Sequence, residues 1–227
     1  MTLATNQQII PFTLPGVDAK TYSPDGFRDV TALAVIFWCN HCPYVRAWED
    51  RVIALQREYT GRGVRFVLIN SNDPQKYPED SFEQMQARAR LKAYPFPYLF
   101  DESQEVARHY GATRTPEIFL FDTARTLRYH GAPDDNSEDP QAVRQHYLRD
   151  AIEAVLAGQA PVMAETPPRG CSIKWRQPGR QRPGPRGASV SAAPRSLPRG
   201  RSAPPACARG SPRPGQEIPW RPGGSGC

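Results

Sequence analysis

The most constraining feature of the sequence is a change of hydrophobic period around two cysteines. Residues 33–38, Leu-Ala-Val-Ile-Phe-Trp, form a short continuous apolar run, which predicts a strand buried on both faces. From Val45 onward, apolar side chains recur every three or four positions, which predicts an amphipathic helix ending near Gly61. The segment Cys39-Asn-His-Cys42 therefore lies where a buried strand gives way to a helix.

This junction favours redox chemistry. A helix N-terminus carries free N–H groups and a partial positive charge, and both stabilise a thiolate. We therefore expect Cys39 to have a depressed pKa and to be the attacking nucleophile. Cys42, three residues on, is expected to be the resolving thiol that releases a mixed disulfide. His41 can add a positive charge that makes the disulfide more oxidising.

Two other interpretations of these cysteines stay open. They can be core thiols that merely lie close together, or part of a zinc site formed by Cys39, His41, Cys42 and a fourth ligand. Zinc clusters usually supply a second Cys-x-x-Cys or His-x₃-His pair, and the sequence has none. We therefore expect neither a metal nor an organic cofactor.

The rest of the first 175 residues predicts an α/β domain. Residues 12–22 suggest an N-terminal β-hairpin or extended arm. Strands and helices are then expected to alternate around a central, largely parallel sheet that ends in an antiparallel hairpin. The strands are predicted at 64–69, 97–100, 117–121 and 127–130, and the helices at 81–92, at 101–110 and from Asp139-Pro140 to Leu156.

The composition changes abruptly near Trp175. The 52 residues 176–227 contain 11 Pro, 9 Gly, 10 Arg and one acid, so this segment carries +9 and residues 1–175 carry −3. The overall charge of +6 is therefore not a nucleic-acid footprint of the folded domain. Such a segment cannot bury enough apolar surface to offset its ordering entropy, and we expect it to be disordered.

The origin of this tail has two explanations. It can be a basic arm for acidic partners, or the product of a shifted reading frame or a missed stop. The absence of Lys favours the second, because GC-rich codons give Arg, Pro, Gly, Ala and Ser in a wrong frame. Cys207 and Cys227 are then unstructured free thiols.

The sequence also bears on location. No apolar run approaches the ~18–20 residues that span a bilayer, and the N-terminus lacks the basic and apolar regions of a signal peptide. We expect a cytoplasmic protein without a membrane partner. In that compartment, five cysteines are more often catalytic or metal-binding than a disulfide framework.

The motif residues resemble a known superfamily. Trp38-Cys-Asn-His-Cys42 looks like the active site of thioredoxin-fold proteins, and Thr115-Pro116 looks like the cis-proline that this superfamily places opposite the disulfide. The resemblance implies a thioredoxin-like fold in which Pro116 is cis and the Thr115 backbone pairs with an extended substrate. Trp38, His41, Thr115 and Pro116 are then candidate substrate-binding residues.

The rest of the domain resembles a particular branch. Its N-terminal arm and the insert carrying NSNDP, PYLFDE and VARHYGA resemble the peroxiredoxin-like, AhpC/TSA-related redoxins. The nearest resemblance is to bacterial thioredoxin-like, peroxiredoxin-related proteins whose cores end in a stretch like GCSIKW, residues 170–175. The resemblance covers about residues 8–175.

The sequence departs from the peroxiredoxin and the thioredoxin patterns at one point each. Peroxiredoxins carry Pro and Thr or Ser seven and three residues before the peroxidatic cysteine. Ala32 and Ile36 stand there before Cys39, and Val35 and Cys39 before Cys42, so the peroxide-polarising hydroxyl is missing. Thioredoxins also bury an acid in the strand before the motif, and residues 33–38 contain none.

Three functions follow. The first is a thiol–disulfide oxidoreductase in redox homeostasis, reduced by a protein dithiol or a low-molecular-weight thiol. The second is a peroxiredoxin-like thiol peroxidase acting on hydroperoxides, and the third is a non-catalytic binding module.

Other polar residues carry weaker expectations. Cys171 is a candidate third redox thiol, the alternative being an uninvolved cysteine. Arg114 can attract an anionic group. His109 is expected to contact a helix dipole. His130, His146 and the Asp134-Asp135 pair are expected to be solvated.

Overall fold

The computed structural model describes residues 2–177, and the predicted disordered tail lies outside these residues apart from its first two positions. Nine strands and four α-helices occur in the described part. The strands are β1 Leu14–Pro15, β2 Thr21–Tyr22, β3 Ala32–Phe37, β4 Val64–Asn70, β5 Tyr98–Phe100, β6 Arg114–Thr115, β7 Glu117–Phe121, β8 Leu127–Gly131 and β9 Cys171–Ser172. The helices are α1 Pro43–Tyr59, α2 Phe82–Leu91, α3 Glu105–Tyr110 and α4 Tyr147–Leu156.

A five-stranded mixed sheet forms the centre, in the order β5-β4-β3-β7-β8. β3 pairs in parallel with β4, and β4 with β5, whereas β7 is antiparallel to both β3 and β8. The predicted mixed sheet is therefore confirmed. β1 and β2 form the predicted N-terminal hairpin. None of the described helices has the length and apolar character needed to cross a bilayer.

β3 explains why the motif lies where it does. Its residues are fully buried, with Ala32, Ala34 and Ile36 facing one apolar cluster and Leu33, Val35 and Phe37 facing the other. Full burial of one large apolar side chain contributes about 1.5–3 kcal/mol, so both faces hold this strand in the middle of the sheet. Its carboxyl end delivers Cys39 to the edge of the sheet from which α1 departs.

The last helix starts later than the sequence predicts. Asp139 does act as a cap, since its side chain accepts a hydrogen bond from the Gln141 N–H, but it caps only the short 3₁₀ turn Pro140–Ala142. Val143 then turns to an extended conformation and ends that turn. The long helix begins at Tyr147, so the prediction of one helix from Asp139 was wrong at its start.

Candidate active site

Cys39 and Cys42 meet at one residue. The Cys39 Sγ atom lies 3.1 Å from Thr115 Oγ1, and the Cys42 thiol donates to the Thr115 carbonyl oxygen over 3.2 Å. Both cysteines are free thiols with no exposed surface. The peptide bond from Thr115 to Pro116 is cis, as the sequence resemblance implied. The fold thus brings together two motifs that lie far apart in the chain.

Cys42 occupies the more anionic position. It is the N-cap residue of α1, without a formal side-chain capping bond. A hydrogen bond from the Cys39 thiol is the main cause that lowers the pKa of Cys42 to about 5, and the Cys171 thiol and nearby N–H groups of Val45 and Cys171 add to it. The contact with the Thr115 carbonyl oxygen favours the protonated Cys42 thiol. More N–H and S–H donors than acceptors face the sulfur, however, so the net effect is a lowered pKa.

Cys39 has the opposite character. Burial is the largest cause that raises its pKa above the ordinary value, followed by its hydrogen bond to Cys42 and the negative charge of Asp80. The expected depressed pKa of Cys39 is therefore not found. The physical reason is the helix start, because α1 begins at Pro43 and its N–H groups lie next to Cys42, the second cysteine.

Asp80 is the acid that the sequence did not reveal. It is fully buried, and its Oδ1 atom accepts a 2.6 Å hydrogen bond from the Asn40 N–H. Its Oδ2 atom lies 2.5 Å from His41 Nδ1 and accepts from Asn72 Nδ2 over 2.8 Å. A buried carboxylate therefore stands beside the first cysteine although the preceding strand contains no acid. Nothing in the local pattern of Pro-Glu-Asp-Ser distinguishes Asp80 from its neighbours.

His41 is held in place rather than loose. Its side chain is only 14% exposed, and its ring stacks on Tyr77 with the centroids 4.5 Å apart. Together with its contact to Asp80, this fixes the imidazole between the carboxylate and an aromatic face.

Trp38, which directly follows β3, is a buried residue. It has no exposed surface, and its Nε1–H donates to the Tyr94 hydroxyl over 3.3 Å. The indole packs in the same apolar cluster as Cys39 and Cys42, and its predicted role in substrate binding stays a prediction.

Three of these groups also have metal-ligand character. The ligand atoms of Cys39, His41 and Asp80 lie within 4.8 Å of one another. Both carboxylate oxygens of Asp80, however, already accept hydrogen bonds from protein donors. The set is explained by these hydrogen bonds, and we assign no metal to it.

Cys171 lies beside the motif. β9 pairs antiparallel with β6, so that Cys171 stands opposite Thr115 and Ser172 opposite Arg114. Burial is the main cause that raises the pKa of Cys171 to about 11, followed by its hydrogen bond to Cys42. Arg114 is exposed and donates to the Gly170 carbonyl oxygen over 2.9 Å. Its hydrogen bond is thus to the backbone beside Cys171, and its predicted attraction of an anionic group stays a prediction.

The expectations for the remaining polar residues are partly wrong. His130 is buried and its Nε2 atom lies 2.8 Å from Glu117 Oε1. Asp134 is buried as well, because it accepts hydrogen bonds from Trp48 and Arg51 of α1. His109, exposed in the last turn of α3, and His146, exposed just before α4, agree with their predictions.

Comparison with known proteins places this site in a family. The AhpC/TSA family matches residues 5–130, more than half of the chain. The chain belongs to the AhpC/TSA family. As an AhpC/TSA protein with a central mixed sheet and helices on both sides, it is a member of the thioredoxin-like redox families.

Two solved structures resemble this AhpC/TSA chain along most of its length. A hypothetical protein from Sinorhizobium meliloti is 37% identical, with a TM-score of 0.73 over 78% of this chain and 97% of that one. An uncharacterized conserved protein from Geobacillus kaustophilus is 39% identical, with a TM-score of 0.73 over 76% and 93% of the two chains.

More distant similarity shows the fold alone. A protein from Chlorobium tepidum, described as a putative thiol:disulfide interchange protein DsbE, is 20% identical, with a TM-score of 0.54 over 68% of this chain and 99% of that one. None of the curated proteins that were compared matches the chain.

Proposed function

We propose that the protein is a thiol–disulfide oxidoreductase whose Cys39–Cys42 pair alternates between dithiol and disulfide. The observation that carries this proposal is the convergence of both sulfurs on Thr115, at 3.1 Å and 3.2 Å, directly before the cis peptide bond to Pro116. Membership of the AhpC/TSA family supports redox chemistry at these thiols. The substrate class is a protein or low-molecular-weight disulfide.

The proposed reaction proceeds in two exchanges. A thiolate of the pair attacks one sulfur of the substrate disulfide, which forms a mixed disulfide and releases the other substrate sulfur as a thiolate. The second cysteine then loses its proton and attacks the first, which closes the Cys39–Cys42 bond and releases the remaining substrate thiol. Two electrons pass to the substrate, and an external dithiol or two low-molecular-weight thiols return them.

The environment of the sulfurs supports Cys42 as the first attacker. The sequence position favoured Cys39, but the lowered pKa belongs to Cys42 and the raised one to Cys39. Because the attacking species is the thiolate, we propose that Cys42 attacks and Cys39 resolves. Trapping of the mixed disulfide in single-cysteine variants distinguishes the two orders.

Asp80 supports the same order. Its carboxylate lies within 4.8 Å of the Cys39 sulfur, the thiol that must lose a proton in the second exchange. An acceptor at this distance can take the proton through one intervening water. Asp80 would thus take the proton from Cys39 as the resolving thiol. In the thioredoxins that the motif resembles, the buried acid of the preceding strand has this role.

The experiment measures reduction of a disulfide-bonded test protein by the full-length chain. We expect Cys39→Ser and Cys42→Ser each to abolish turnover, whereas the matched change Cys207→Ser plus Cys227→Ser leaves it intact. Cys39→Ser should accumulate a mixed disulfide on Cys42. Accumulation on Cys39 in Cys42→Ser alone would restore the order expected from the sequence, and turnover by both single variants would refute the function.

Peroxide reduction is the second candidate, and family membership favours it. The Thr115 hydroxyl, 3.1 Å from Cys39, stands near a sulfur in place of the hydroxyl missing from β3. Against it, Ala32 and Ile36 give β3 no polar group at either peroxiredoxin position. If hydrogen peroxide oxidises the Cys39–Cys42 pair faster than a substrate disulfide does, peroxide reduction is the function. The cytoplasmic location and the lack of a nucleic-acid partner stay predictions.

A further inference from the structure

The chain after α4 returns to the motif as an extended segment, residues 170–176, which we call the strap. Its Ile173 side chain is buried, and the Ile173 N–H donates to the Thr113 carbonyl over 2.9 Å. The Lys174 N–H donates to Asn72 Oδ1 over 2.8 Å, and Asn72 also donates to Asp80. The strap is thus tied both to the loop of Thr115 and to the carboxylate beside Cys39.

The strap takes up the strand position next to Thr115. Cys171 is the antiparallel partner of Thr115, the residue whose backbone, by the resemblance, pairs with an extended substrate. One backbone edge can pair with only one strand at a time, since each N–H and C=O group in a ladder has one strand partner. A substrate strand and the strap therefore exclude each other at Thr115.

Gly170 is shaped for this position. A Cβ atom added there would come within 2.6 Å of the Thr115 carbonyl carbon and 3.1 Å of the Pro116 nitrogen. Only a residue without a side chain allows the strap to approach the cis peptide so closely. The approach also packs Cys171, which stays partly exposed, against the apolar cluster that contains Cys42, and Cys42 itself contacts the carbonyl of Thr115, the residue paired with Cys171.

We propose that the strap is an internal stand-in for the substrate strand, and that Cys171 forms a disulfide with Cys42 as a substrate cysteine would. This inference rests on the proposed function and deepens it. Closure of the Cys42–Cys171 bond locks the strap on Thr115 and shuts the substrate edge, and its reduction frees that edge again.

The exchange balances without a further reagent. Starting from the Cys39–Cys42 disulfide, the Cys171 thiolate attacks Cys42 Sγ, the Cys42–Cys171 bond forms, and Cys39 leaves as a thiolate that takes up the proton lost by Cys171. No electrons are gained or lost. The disulfide has moved from the buried Cys39–Cys42 pair to the Cys42–Cys171 pair. Because Cys171 is partly exposed, an external dithiol can reduce this second disulfide.

The first test maps disulfides in the full-length chain carrying Cys207→Ser and Cys227→Ser, treated with oxidised glutathione. In the Cys39→Ser variant we expect a Cys42–Cys171 disulfide in the peptide map. The matched Cys42→Ser variant should give no Cys39–Cys171 disulfide. A Cys39→Ser protein that forms only glutathione adducts would overturn the inference.

The second test weakens the strap without removing a thiol. We expect Gly170→Ala to slow closure of Cys42–Cys171 about 10- to 100-fold, because a misplacement of about 1 Å can cost that much in rate. The same variant should react faster with a disulfide-bonded test protein, since the substrate edge is less occupied. Gly61→Ala, where an added Cβ meets nothing, is the matched control and should change neither rate.

Arg114→Ala is a milder second variant, because it removes the exposed hydrogen bond to the Gly170 carbonyl and a positive charge that lowers the pKa of Cys171, and both changes slow closure. It should shift both rates in the same directions as Gly170→Ala. If Gly170→Ala or Arg114→Ala slows Cys42–Cys171 closure and the reaction with the test protein alike, the strap is only a structural element and the inference fails. Failure of the proposed function is distinct, because it appears as full turnover by Cys39→Ser and Cys42→Ser whatever Cys171 does.

Discussion

The Asp80 carboxylate accepts a 2.6 Å hydrogen bond from the backbone N–H of Asn40, the residue immediately after Cys39. This bond links the cysteine loop to the buried acid and sets where the first thiol stands relative to it. Asn72 extends the link to the backbone of the strap at Lys174. A change at Asp80 is therefore expected to affect the chemistry of the pair.

Asp80→Asn keeps the side-chain volume and removes the charge. We expect resolution of the mixed disulfide to slow about 100-fold, because a positioned base contributes roughly 10²–10⁴-fold. The pKa of Cys39 should fall, since the charge of Asp80 raises it. Stopped-flow single turnovers and the pH profile of Cys39 alkylation measure the two effects. Asp50→Asn, which alters an exposed carboxylate of α1, is the control, and equal effects at both sites would contradict the role.

The Cys42 thiol should titrate unusually low. Folding lowers its pKa from the ordinary 9.0 to about 5, chiefly through the hydrogen bond from Cys39. Ultraviolet thiolate absorbance of the reduced protein should therefore rise with a midpoint near pH 5, and Cys42→Ser should remove that step. A midpoint in the ordinary thiol range would show that the thiolate is not stabilised.

The same shift predicts how stability depends on pH. A thiol whose pKa is lowered by folding stabilises the native state fully above its unfolded pKa, and this contribution is lost as the pH falls through the folded pKa. The stability of the reduced protein should therefore rise between about pH 5 and pH 9 relative to Cys42→Ser. Urea unfolding across this range measures it, and parallel curves for the two proteins would be inconsistent with the shift.

Glu117 shapes the loop that carries Thr115. Its Oε2 atom accepts 2.8 Å hydrogen bonds from the N–H groups of Thr113 and Arg114, and it is buried. Glu117→Ala removes the acceptor of these two partly exposed N–H groups and leaves the buried Nε2 atom of His130 without its partner. An unsatisfied buried donor costs about 1–3 kcal/mol, so we expect a loss of about 1–3 kcal/mol in the free energy of unfolding. Disulfide exchange should slow as well. Glu165→Ala removes an exposed carboxylate near His130 and should cost less than about 1 kcal/mol.

Asp134, which follows β8, anchors α1. Its Oδ1 atom accepts from Trp48 Nε1 over 2.7 Å, and its Oδ2 atom from Arg51 Nη1 over 2.5 Å. Removing one partner of a buried charged pair costs about 3–5 kcal/mol, which is the loss expected for Asp134→Ala in urea unfolding. Asp135→Ala is the neighbouring control. Similar losses at both positions would show that the buried anchor is not what stabilises α1.

The sequence predicted the elements that local pattern determines. The apolar run before Cys39 and the helical spacing after Cys42 predicted β3 and α1 to within two residues, and the helix predicted from Ser81 is capped by Ser81, whose side chain accepts a hydrogen bond from the Gln84 N–H. In these cases the buried face or the cap lies within the segment itself, so the pattern of a few residues is sufficient.

The features that the sequence did not predict depend on distant partners. β6 and β9 contain two residues each, too few for any periodicity, and exist only because Thr115 and Cys171 pair across the fold. Asp80, His130 and Asp134 are polar residues, and from sequence alone such side chains are expected to be exposed to solvent. Each is buried because a partner from another element satisfies it, and those pairings are not visible in local composition.

Whether the Cys39–Cys42 pair reacts by disulfide exchange is tested by comparing two oxidants on the reduced full-length protein. Equal concentrations of a disulfide-bonded test protein and of hydrogen peroxide are added, and mass-resolved alkylation follows each cysteine over time. We expect faster loss of Cys42 with the disulfide protein, first as a mixed disulfide with that protein and then in a disulfide to Cys39 or Cys171. Faster loss with peroxide, or a Cys42 that stays available to alkylation, would contradict it.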